Sequence, residues 1–338
     1  MSGILDEALR AAIGRREALL ARLEAEGTDC YRLLHGAVEG APGVTVDRYG
    51  PVLLVQTWGD PPEPGLVEAL GAAAGSALGT ALSPVWNDRA ADADRRGRRS
   101  RPPADPRLAA PVGRELGLAY DVRPRHRGED PLLFLDLRGG RRRLLEASRG
   151  ASVLNLFAYT CAAGVAAARG GATEVWNVDF AGSALAVGRR NAALNDLPPE
   201  LFRTVHEDVF PVVRQLAGLP VKGRGARHRP YLFLEPRAFD IVVLDPPRWA
   251  KGPFGAVDVV RDYPGVFKPA LLATRPGGHV LATNHVPSVA LEDWLGVLER
   301  AAEKAGRPLA SVEFLPPEDD FPSPDGRPPL KVAWIAVG

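Results

Sequence analysis

The feature that most constrains this chain is a regular alternation of short apolar strand patterns and helical patterns after residue 150. The strand patterns lie at 152–157, 174–179, 201–206, 239–245 and 279–283. Such alternation requires right-handed crossover connections, which build a doubly wound, mainly parallel sheet. Two final strand patterns, 309–315 and 331–337, have no helix between them and form a terminal hairpin. One strand must then run antiparallel to its neighbours, and we predict an α/β, Rossmann-like fold.

The first part of the chain has a mixed pattern that predicts a small α+β domain. Apolar residues at helical spacing predict one amphipathic helix over 3–26. Residues 91–110 are rich in Asp, Arg and Pro, and we interpret them as an exposed linker. The other expected elements are a β-hairpin at 44–56, a helix at 65–80, and strands at 83–89, within 111–122 and at 131–136. The predicted domains are the N-terminal helix at 1–27, the small domain at 28–125 and the alternating domain at 126–338.

Composition excludes several classes of protein. Hydrophobic residues make up 46% and charged residues 25% of the chain, which excludes a wholly disordered protein. The formal net charge is +1, so no overall field attracts the chain to nucleic acid. We expect neither a membrane span nor a secretory signal, because no long apolar run and no basic-then-apolar N-terminus occur. Since the only cysteines are Cys30 and Cys161, we expect a cytoplasmic protein with no disulfide framework and no metal.

Polar and aromatic residues follow the predicted strands on one edge of the sheet. Ligands of open α/β sheets bind at this edge, outside the carboxyl ends of the strands. A single Asp in such a place is a common helix N-cap, but a series of polar residues is typical of a ligand site. In strand order the candidates are Asn155, Phe157, Tyr159 and Thr160; Asp179 and Phe180; Asp208; Asp245, Pro246 and Pro247; and Asn284 and His285.

The turns at this edge disfavour a dinucleotide ligand. The turn after the strand at 152–157 lacks the G-x-G-x-x-G pattern that holds a pyrophosphate, so NAD is disfavoured. Asp179 stands where a carboxylate accepts both hydroxyls of a ribose, and Asp208 is a candidate acceptor for an adenine amino group. Phe180 either packs on the adenine or belongs to the core.

The most specific motif is Asp245-Pro246-Pro247, followed by Arg248 and Trp249. Two prolines make a rigid strand exit without amide donors, which leaves the Asp245 carboxylate facing a substrate. The alternative is that the motif is only a stiff strand exit. Lys251, just past the turn, is the cation we expect nearest to the substrate, and Arg248, Trp249 and His285 are further candidate contacts.

Several stretches of sequence occur together in a combination that is specific to one family. They are Tyr31–Gly36, Pro42–Tyr49, Phe134–Arg138, the Asn-Leu-Phe-Ala-Tyr-Thr run at 155–160, and the Asp-Pro-Pro turn. Over about residues 28–338 the chain resembles class I S-adenosylmethionine (SAM)-dependent methyltransferases that act on 23S ribosomal RNA. Relatives in that family include a cytosine-C5 enzyme and the guanine-N7 half of a bifunctional enzyme.

The resemblance implies a class I methyltransferase sheet behind a small α+β domain, with SAM as the methyl donor. It also implies that Asp136 and Arg138 lie near the methionine end of SAM, and that the partner is 23S ribosomal RNA. A homodimer is left open. The chain departs from the family pattern in having no room for the PUA-type RNA-binding domain of the cytosine-C5 relatives. In addition, Leu137 replaces the usual Gln of Asp-Gln-Arg, and Cys161 stands where Gly is frequent.

The loop after the strand at 279–283 bears on which atom is methylated. Cytosine C5 becomes nucleophilic only after a thiolate adds at C6, and the cytosine-C5 relatives supply that thiolate from this loop. Here the loop contains Asn284 and His285 but no cysteine, and Cys161 is interpreted as a buried or cofactor-lining residue. Guanine N7 needs only alignment with the methyl group and exclusion of water. We therefore rank guanine N7 first, other nitrogens second and cytosine C5 last. The alternative that His285 is a structural surface residue is left open.

Three basic segments are candidate RNA contacts: 95–101, 138–143 and 222–229. Each is predicted to be a loop, where contact with phosphates is feasible, although arginines outnumber lysines along the whole chain. The near-zero net charge and the missing RNA-binding domain favour a methyltransferase acting on a small molecule or a protein. Leu137 and the changed loop after the strand at 279–283 are the reasons for a second alternative, a SAM-binding protein without catalysis.

Overall fold

The computed structural model describes residues 2–90, 108–124, 130–222, 228–252, 254–323, 325 and 327–338. The chain forms two units, Met1–Asp136 with Glu318–Pro324, and Leu137–Pro317 with Asp325–Gly338. Most of the predicted linker, the whole basic segment at 95–101 and residues 223–227 of the third basic segment lie outside the described residues. The domain limits expected from the sequence stay predictions.

The first unit is built on a four-stranded sheet packed against helices. Its elements are α1 (Ser2–Arg15), α2 (Glu17–Ala25), β1 (Cys30–His35), β2 (Val44–Tyr49), β3 (Val52–Thr57), α3 (Leu66–Leu78), β4 (Ser83–Asp88), β5 (Val112–Glu115) and β6 (Leu118–Asp121). The sheet order is β1–β2–β3–β4, antiparallel except for the parallel pair β3–β4, and β5–β6 is a separate hairpin. Leu9, Leu33 and Leu70 are fully buried in the core of this unit. The hairpin at 44–56, the helix at 65–80 and the strand at 83–89 are therefore confirmed.

The single N-terminal helix expected over 3–26 is wrong, because the chain forms two helices that meet at Arg16. Arg16 is buried, and its guanidinium donates to both carboxylate oxygens of Glu39 at 2.7 and 2.8 Å. It also donates to the carbonyl of Ala12 at 3.1 Å. Arginine at this position does not interrupt the apolar periodicity, so the break was not visible in the pattern.

The second unit contains the alternating region, and every strand and helix expected after residue 150 is present. The elements are α4 (Arg138–Ala147), β7 (Ser152–Leu156), α5 (Ala162–Arg169), β8 (Glu174–Asp179), α6 (Gly182–Leu194), β9 (Phe202–His206), α7 (Val209–Leu216), β10 (Phe239–Leu244), β11 (Trp249–Lys251), β12 (Ala256–Asp258), α8 (Pro264–Leu272), β13 (Thr274–Asn284), α9 (Leu291–Ala305), β14 (Leu309–Leu315) and β15 (Lys331–Val337). None of the helices among the described residues is long and apolar enough to cross a membrane.

A seven-stranded sheet forms the centre of this unit, in the order β14–β15–β13–β10–β7–β8–β9. The strands from β13 to β9 are parallel, whereas β15 is antiparallel to both neighbours. Every residue of β7 is buried, so both faces of the sheet are covered there. The strand order reverses between β7 and β10, which places the topological switch point between them. The predicted Rossmann-like sheet with one antiparallel strand is confirmed.

The segment before β7 differs from expectation. Residues 131–136 do not form a strand; a 3₁₀ turn at Leu135–Leu137 leads into α4. The basic segment at 138–143 is therefore helical and not a loop. Arg138 and Arg141 are buried, and Arg143 pairs with Glu313 at 2.5 Å. Three of the four arginines of the segment are therefore buried or ion-paired, and its predicted contact with RNA phosphates stays a prediction.

Candidate active site

The register of the sheet determines which residues meet at its carboxyl edge. Leu244 ends β10 and pairs with the last residue of β7 on one side and with Ala282 of β13 on the other. The next residues along the three strands, Asp245, Phe157 and Thr283, therefore lie side by side at this edge. This is the switch point of the sheet, where open α/β folds bind their ligands.

The loop after β7 has an unusual backbone. Phe157, Tyr159 and Cys161 have φ values of 57°, 48° and 62°, in the left-handed region that non-glycine residues seldom adopt. Asp179, at the end of β8, stabilises this loop because its Oδ2 accepts from the Tyr159 amide at 2.8 Å. Its Oδ1 accepts from the Ala181 amide, also at 2.8 Å. Strained backbone of this kind persists only where its surroundings hold it, and it is concentrated at functional sites.

Asp179 is nearly buried, and no lysine or arginine pairs with it in the described part of the chain. Burial raises the pKa of Asp179, although the two backbone amides and the nearby His206 act in the opposite direction. A carboxylate oxygen that accepts one amide still has a lone pair for a second donor. This arrangement fits the two hydroxyls of a SAM ribose.

Asp208 has one oxygen committed to the fold and one that is not. Its Oδ1 caps α7 by accepting from the Phe210 amide at 2.9 Å. Its Oδ2 accepts no hydrogen bond from the described residues and lies against Gly252, where a Cβ would come within 2.7 Å. Burial raises the pKa of Asp208, and the charge of Glu207 raises it further. The second oxygen therefore fits an amino donor such as that of adenine.

Asp245 follows β10 and is held by a single side-chain hydrogen bond. Its Oδ1 accepts from the Thr283 hydroxyl, and the Tyr263 hydroxyl donates to the Thr283 carbonyl at 2.8 Å. Burial raises the pKa of Asp245, whereas the Thr283 bond and the positive charges of His285 and Arg141 lower it. Pro246 and Pro247 then carry the chain away without amide donors.

Asn284 ends β13 and is fully buried. Its Oδ1 accepts from the Val286 amide at 3.0 Å, which assigns the orientation of the side-chain amide. Its Nδ2 has no hydrogen-bond partner among the described residues. A buried donor without a partner is costly, and at zero exposure Nδ2 is out of reach of a ligand in this structure. The predicted catalytic role of Asn284 stays a prediction.

Other predicted residues of the β7 and β8 region are more deeply placed. Asn155 is buried, and its Nδ2 donates to Asn177 Oδ1 at 2.9 Å. Asn177 in turn lies against Gly164 of α5, where a Cβ would come within 2.0 Å of Asn177 Oδ1. Thr160 is buried, and its carbonyl accepts from Asn191 at 3.0 Å. The predicted cofactor roles of Asn155 and Thr160 stay predictions.

Several predicted contact residues are exposed at the same edge. Phe180 is 63% and Trp249 64% exposed, and Arg248 and Lys251 are also exposed. The alternative that Phe180 belongs to the core is therefore wrong. His285 is half-buried and close enough to Asp245 for its charge to influence that carboxylate.

Asp136 and Arg138, which the family resemblance places near the methionine end of SAM, belong to different units. Asp136 belongs to the first unit, where its charge, with that of Asp47, raises the pKa of Arg32 against the effect of burial. Arg138 opens α4 in the second unit and is fully buried. Their predicted contacts with SAM stay predictions.

Both cysteines are buried and reduced. The Cys161 sulfur packs on α6, where a Cβ at Gly188 would come within 2.3 Å of it. Burial raises the pKa of Cys161, and the charge of Asp179 adds to that effect. The thiol is therefore protonated at neutral pH. Among the described residues, no group of three or more His, Cys, Asp or Glu would hold a metal ion.

The sequence analysis assigned no role to three residues of this site: Arg141, Tyr263 and Thr283. Arg141 follows Arg138 at helical spacing, but this spacing carries no information when the segment is predicted to be a loop. Thr283 is one of the small residues at the end of a recognised strand, and only the register places its hydroxyl on Asp245. For Tyr263 we find no sequence signal, because its contact depends on how α8 packs on the sheet.

Comparison with known proteins agrees with this geometry. A ribosomal RNA large subunit methyltransferase of Deinococcus radiodurans is 34% identical over 88% of this chain and 70% of its own length. Ribosomal RNA large subunit methyltransferase I of Shewanella amazonensis is 29% identical over 93% of this chain and 74% of its own length. A crystal structure described as a methyltransferase complexed with SAH superposes with a TM-score of 0.77 at 23% identity, covering 99% of this chain and 81% of that one.

The sequence profile of the S-adenosylmethionine-dependent methyltransferases matches residues 33–335, which is most of the chain. The Rossmann-like sheet, the carboxylates at its switch point and this match agree. The chain therefore belongs to the S-adenosylmethionine-dependent methyltransferase family, and it is an enzyme that uses this cofactor.

Proposed function

We propose that this enzyme methylates a base of 23S ribosomal RNA, at guanine N7 or another nitrogen in preference to cytosine C5. The RNA substrate is supported by its curated relatives, which are named as ribosomal RNA large subunit methyltransferases. The choice of atom depends on one observation: neither cysteine is available as a nucleophile, because both are buried and no cysteine follows β13.

Three residues of the β8 and β9 ends would hold the cofactor. Asp179 would accept the ribose hydroxyls, Asp208 Oδ2 an adenine amino group, and the exposed ring of Phe180 would cover the adenine face. When bound, SAM supplies a methyl group on a positively charged sulfur. The chain's own task is then to align an acceptor atom and to keep water away from it.

The chemistry of the acceptor favours a ring nitrogen. The lone pair of guanine N7 lies in the plane of the base, so no covalent activation is needed before transfer. Cytosine C5 would need a thiolate at C6, and burial holds the pKa of Cys161 well above neutrality. Polar side chains for holding a base by hydrogen bonds are offered by Asp245 and His285. Neither of them is a thiolate, which methylation of a cytosine carbon would need.

The test uses purified full-length protein and SAM with a labelled methyl group. It is offered unmodified 23S RNA, ribosomal subunits and a small-molecule extract, followed by nucleoside mass spectrometry. We expect label in 7-methylguanosine. Label in 5-methylcytidine would contradict the argument from the cysteines, and label confined to the small-molecule fraction would contradict an RNA substrate. SAM binding without transfer to any of these substrates would mean that catalysis has been lost.

A further inference from the structure

The chain after Asp245-Pro246-Pro247 forms a two-stranded antiparallel ribbon that the sequence pattern did not predict. In β11 and β12, Trp249 pairs with Asp258, Ala250 with Val257, and Lys251 with Ala256. Alternate residues of a strand point to opposite faces. Val257 is only 1% exposed and joins the apolar core, whereas Trp249 and Lys251 are exposed on the other face.

The turn of this ribbon is anchored on the start of α7. The Gly252 amide donates to the Gly255 carbonyl at 2.9 Å. A Cβ at Gly252 would come within 2.7 Å of Asp208 Oδ2, and a Cβ at Gly255 within 3.1 Å of the Phe210 ring. A side chain at Gly252 would displace the Asp208 carboxylate, and one at Gly255 would crowd the Phe210 ring. The ribbon is seated on the carboxyl edge of the sheet, beside a carboxylate of the candidate cofactor site.

A second exposed aromatic residue, Phe233, lies in a segment that contacts the ribbon. Tyr231 meets Phe254 of the ribbon turn edge to face, with ring centroids 5.6 Å apart. The next residue, Leu232, donates its amide to Glu207 at 2.8 Å, which fixes this segment near the end of β9. Phe233 follows and is 75% exposed.

Two exposed cations beside Trp249 have no ion-pair partner among the described residues. Neither Arg248 nor Lys251 has a carboxylate partner in the part of the chain that the structure describes. The carboxylate of Asp258 is instead engaged by the amides of Val260 and Arg261, both at 3.1 Å. A large aromatic ring left in water forgoes the free energy of its burial, so exposed rings beside unpaired cations need a reason.

We propose that Trp249, Lys251 and Phe233 form a stacking face that binds unpaired nucleotides of the substrate RNA. Proteins that bind single strands combine basic groups along the backbone with aromatic rings on which successive bases stack. Duplex RNA hides its base faces and offers mainly phosphates and ribose hydroxyls. The enzyme therefore takes its target base from an unpaired segment of RNA. This inference rests on the proposed function, because it presumes an RNA substrate.

The test measures binding of the full-length protein to fluorescently labelled RNA. The probes are an unstructured single strand of about 12 nucleotides and the duplex of the same sequence. We expect Trp249→Ala to weaken single-strand binding about 10-fold and duplex binding much less, since stacking on one ring is worth about 1–3 kcal/mol. Trp249→Phe keeps a ring and should restore most of the affinity. Lys251→Ala should reduce the salt dependence of binding by about 0.7 in the log–log slope.

Leu194→Ala is the matched control, because Leu194 is an apolar residue of the same unit, 38% exposed, outside the stacking face. It should bind both probes like the unaltered protein. SAM affinity, measured on every variant, reports whether the fold is intact.

The failures of the two proposals are distinguishable. If the unaltered protein binds and methylates RNA but Trp249→Ala and Phe233→Ala bind the single strand as tightly as Leu194→Ala, the stacking face is wrong and the RNA substrate stands. Equal binding of duplex and single strand by the unaltered protein would also overturn it. If the unaltered protein neither binds nor methylates any RNA, the proposed function itself is wrong.

Discussion

Strand β10 has an aspartate at each end, and the two are held in opposite ways. Asp240, near its start, accepts from the Ser152 amide at 2.8 Å and hydroxyl at 2.6 Å, and pairs with Arg275 at 2.7 Å. Although burial alone would raise the pKa of Asp240, these contacts hold it below its ordinary value. Asp245, past the other end, has one hydroxyl donor, and burial raises its pKa.

Strand β8 repeats the contrast. Glu174, its first residue, is bound by Arg237 and by Trp176 Nε1, and these contacts lower the pKa of Glu174 against the effect of burial. Among the residues that the structure describes, the carboxylate of Asp179, the last residue of β8, accepts only from backbone amides, and burial raises its pKa. Carboxylates at the amino edge are therefore neutralised by arginines and stabilise the fold. Those at the carboxyl edge keep their acceptor capacity for a ligand.

The largest effect that would test this contrast comes from Asp179→Ala. Two lost hydrogen bonds to a charged group amount to about 3 kcal/mol or more, so the Kd for SAM should rise at least ~100-fold. Calorimetric titration measures it. Asp240→Ala is the matched control at the other edge, and it should lower the free energy of unfolding while SAM affinity is unchanged. The contrast fails if both variants lose SAM affinity equally.

Asp245→Asn should affect turnover more than cofactor binding. Loss of a charged acceptor costs about 2 kcal/mol, which is about 30-fold in kcat, while the Kd for SAM changes little. Single-turnover methylation of the RNA substrate, beside calorimetry with SAM, separates the two quantities. Equal losses in both would mean that Asp245 serves the cofactor and not the acceptor base.

Thr283 is the only side-chain donor to Asp245 among the described residues, so Thr283→Val should lower kcat about 5-fold. The bond lowers the pKa of Asp245, and its loss should move the acid limb of the pH–kcat profile to higher pH. Thr283→Ser keeps the hydroxyl and should restore both values. A valine variant with an unshifted profile would show that the hydroxyl only fills space.

Lowering the pH should distinguish the carboxylates of the two sheet edges, and this is the smallest of the expected effects. Asp179 and Asp208 have raised pKa values, so their ionised forms destabilise the fold and protonation relieves that cost. Asp240 and Glu174 have lowered pKa values, so their stabilisation is present above the ordinary pKa and is lost only as pH falls through the lowered one.

As the pH falls from neutrality towards about 4, the ordinary carboxylate pKa, SAM affinity should therefore decline before the melting temperature does. Calorimetry and thermal unfolding in the same buffers measure the two properties. If the melting temperature falls before SAM affinity does, the contrast between the carboxylates of the two edges is contradicted.

The fold was predictable where buried strands are rich in apolar residues and alternate with helical patterns, as for β7, β8 and β10. It was not predictable where arginine takes a core position, because Arg16, Arg138 and Arg141 are buried and yet count as polar in any pattern. The apolar run at 131–136 has strand composition but leads into a helix. The three-residue strands of the ribbon are too short to show alternation.

The candidate site was predictable to the extent that the edge rule of parallel sheets applies. That rule selected Asp179, Asp208 and Asp245 from their positions after strands. It assigned no role to Thr283 or Tyr263, since their roles come from register and from helix packing between segments distant in sequence. Nor does composition distinguish an exposed ring such as Phe180 from a core one.

The connection between β14 and β15 contributes residues 318–324 to the first unit. There Asp320 accepts from the Arg32 amide at 2.9 Å, the Arg32 guanidinium lies over the Phe321 ring, and Asp319 pairs with Arg22. During synthesis on a ribosome, the first unit emerges early but lacks these partners until almost the whole chain has been made. The part of the protein that is translated first is therefore completed only after most of the second unit has been made, and a fragment ending at residue 136 would lack contacts on which β1 depends.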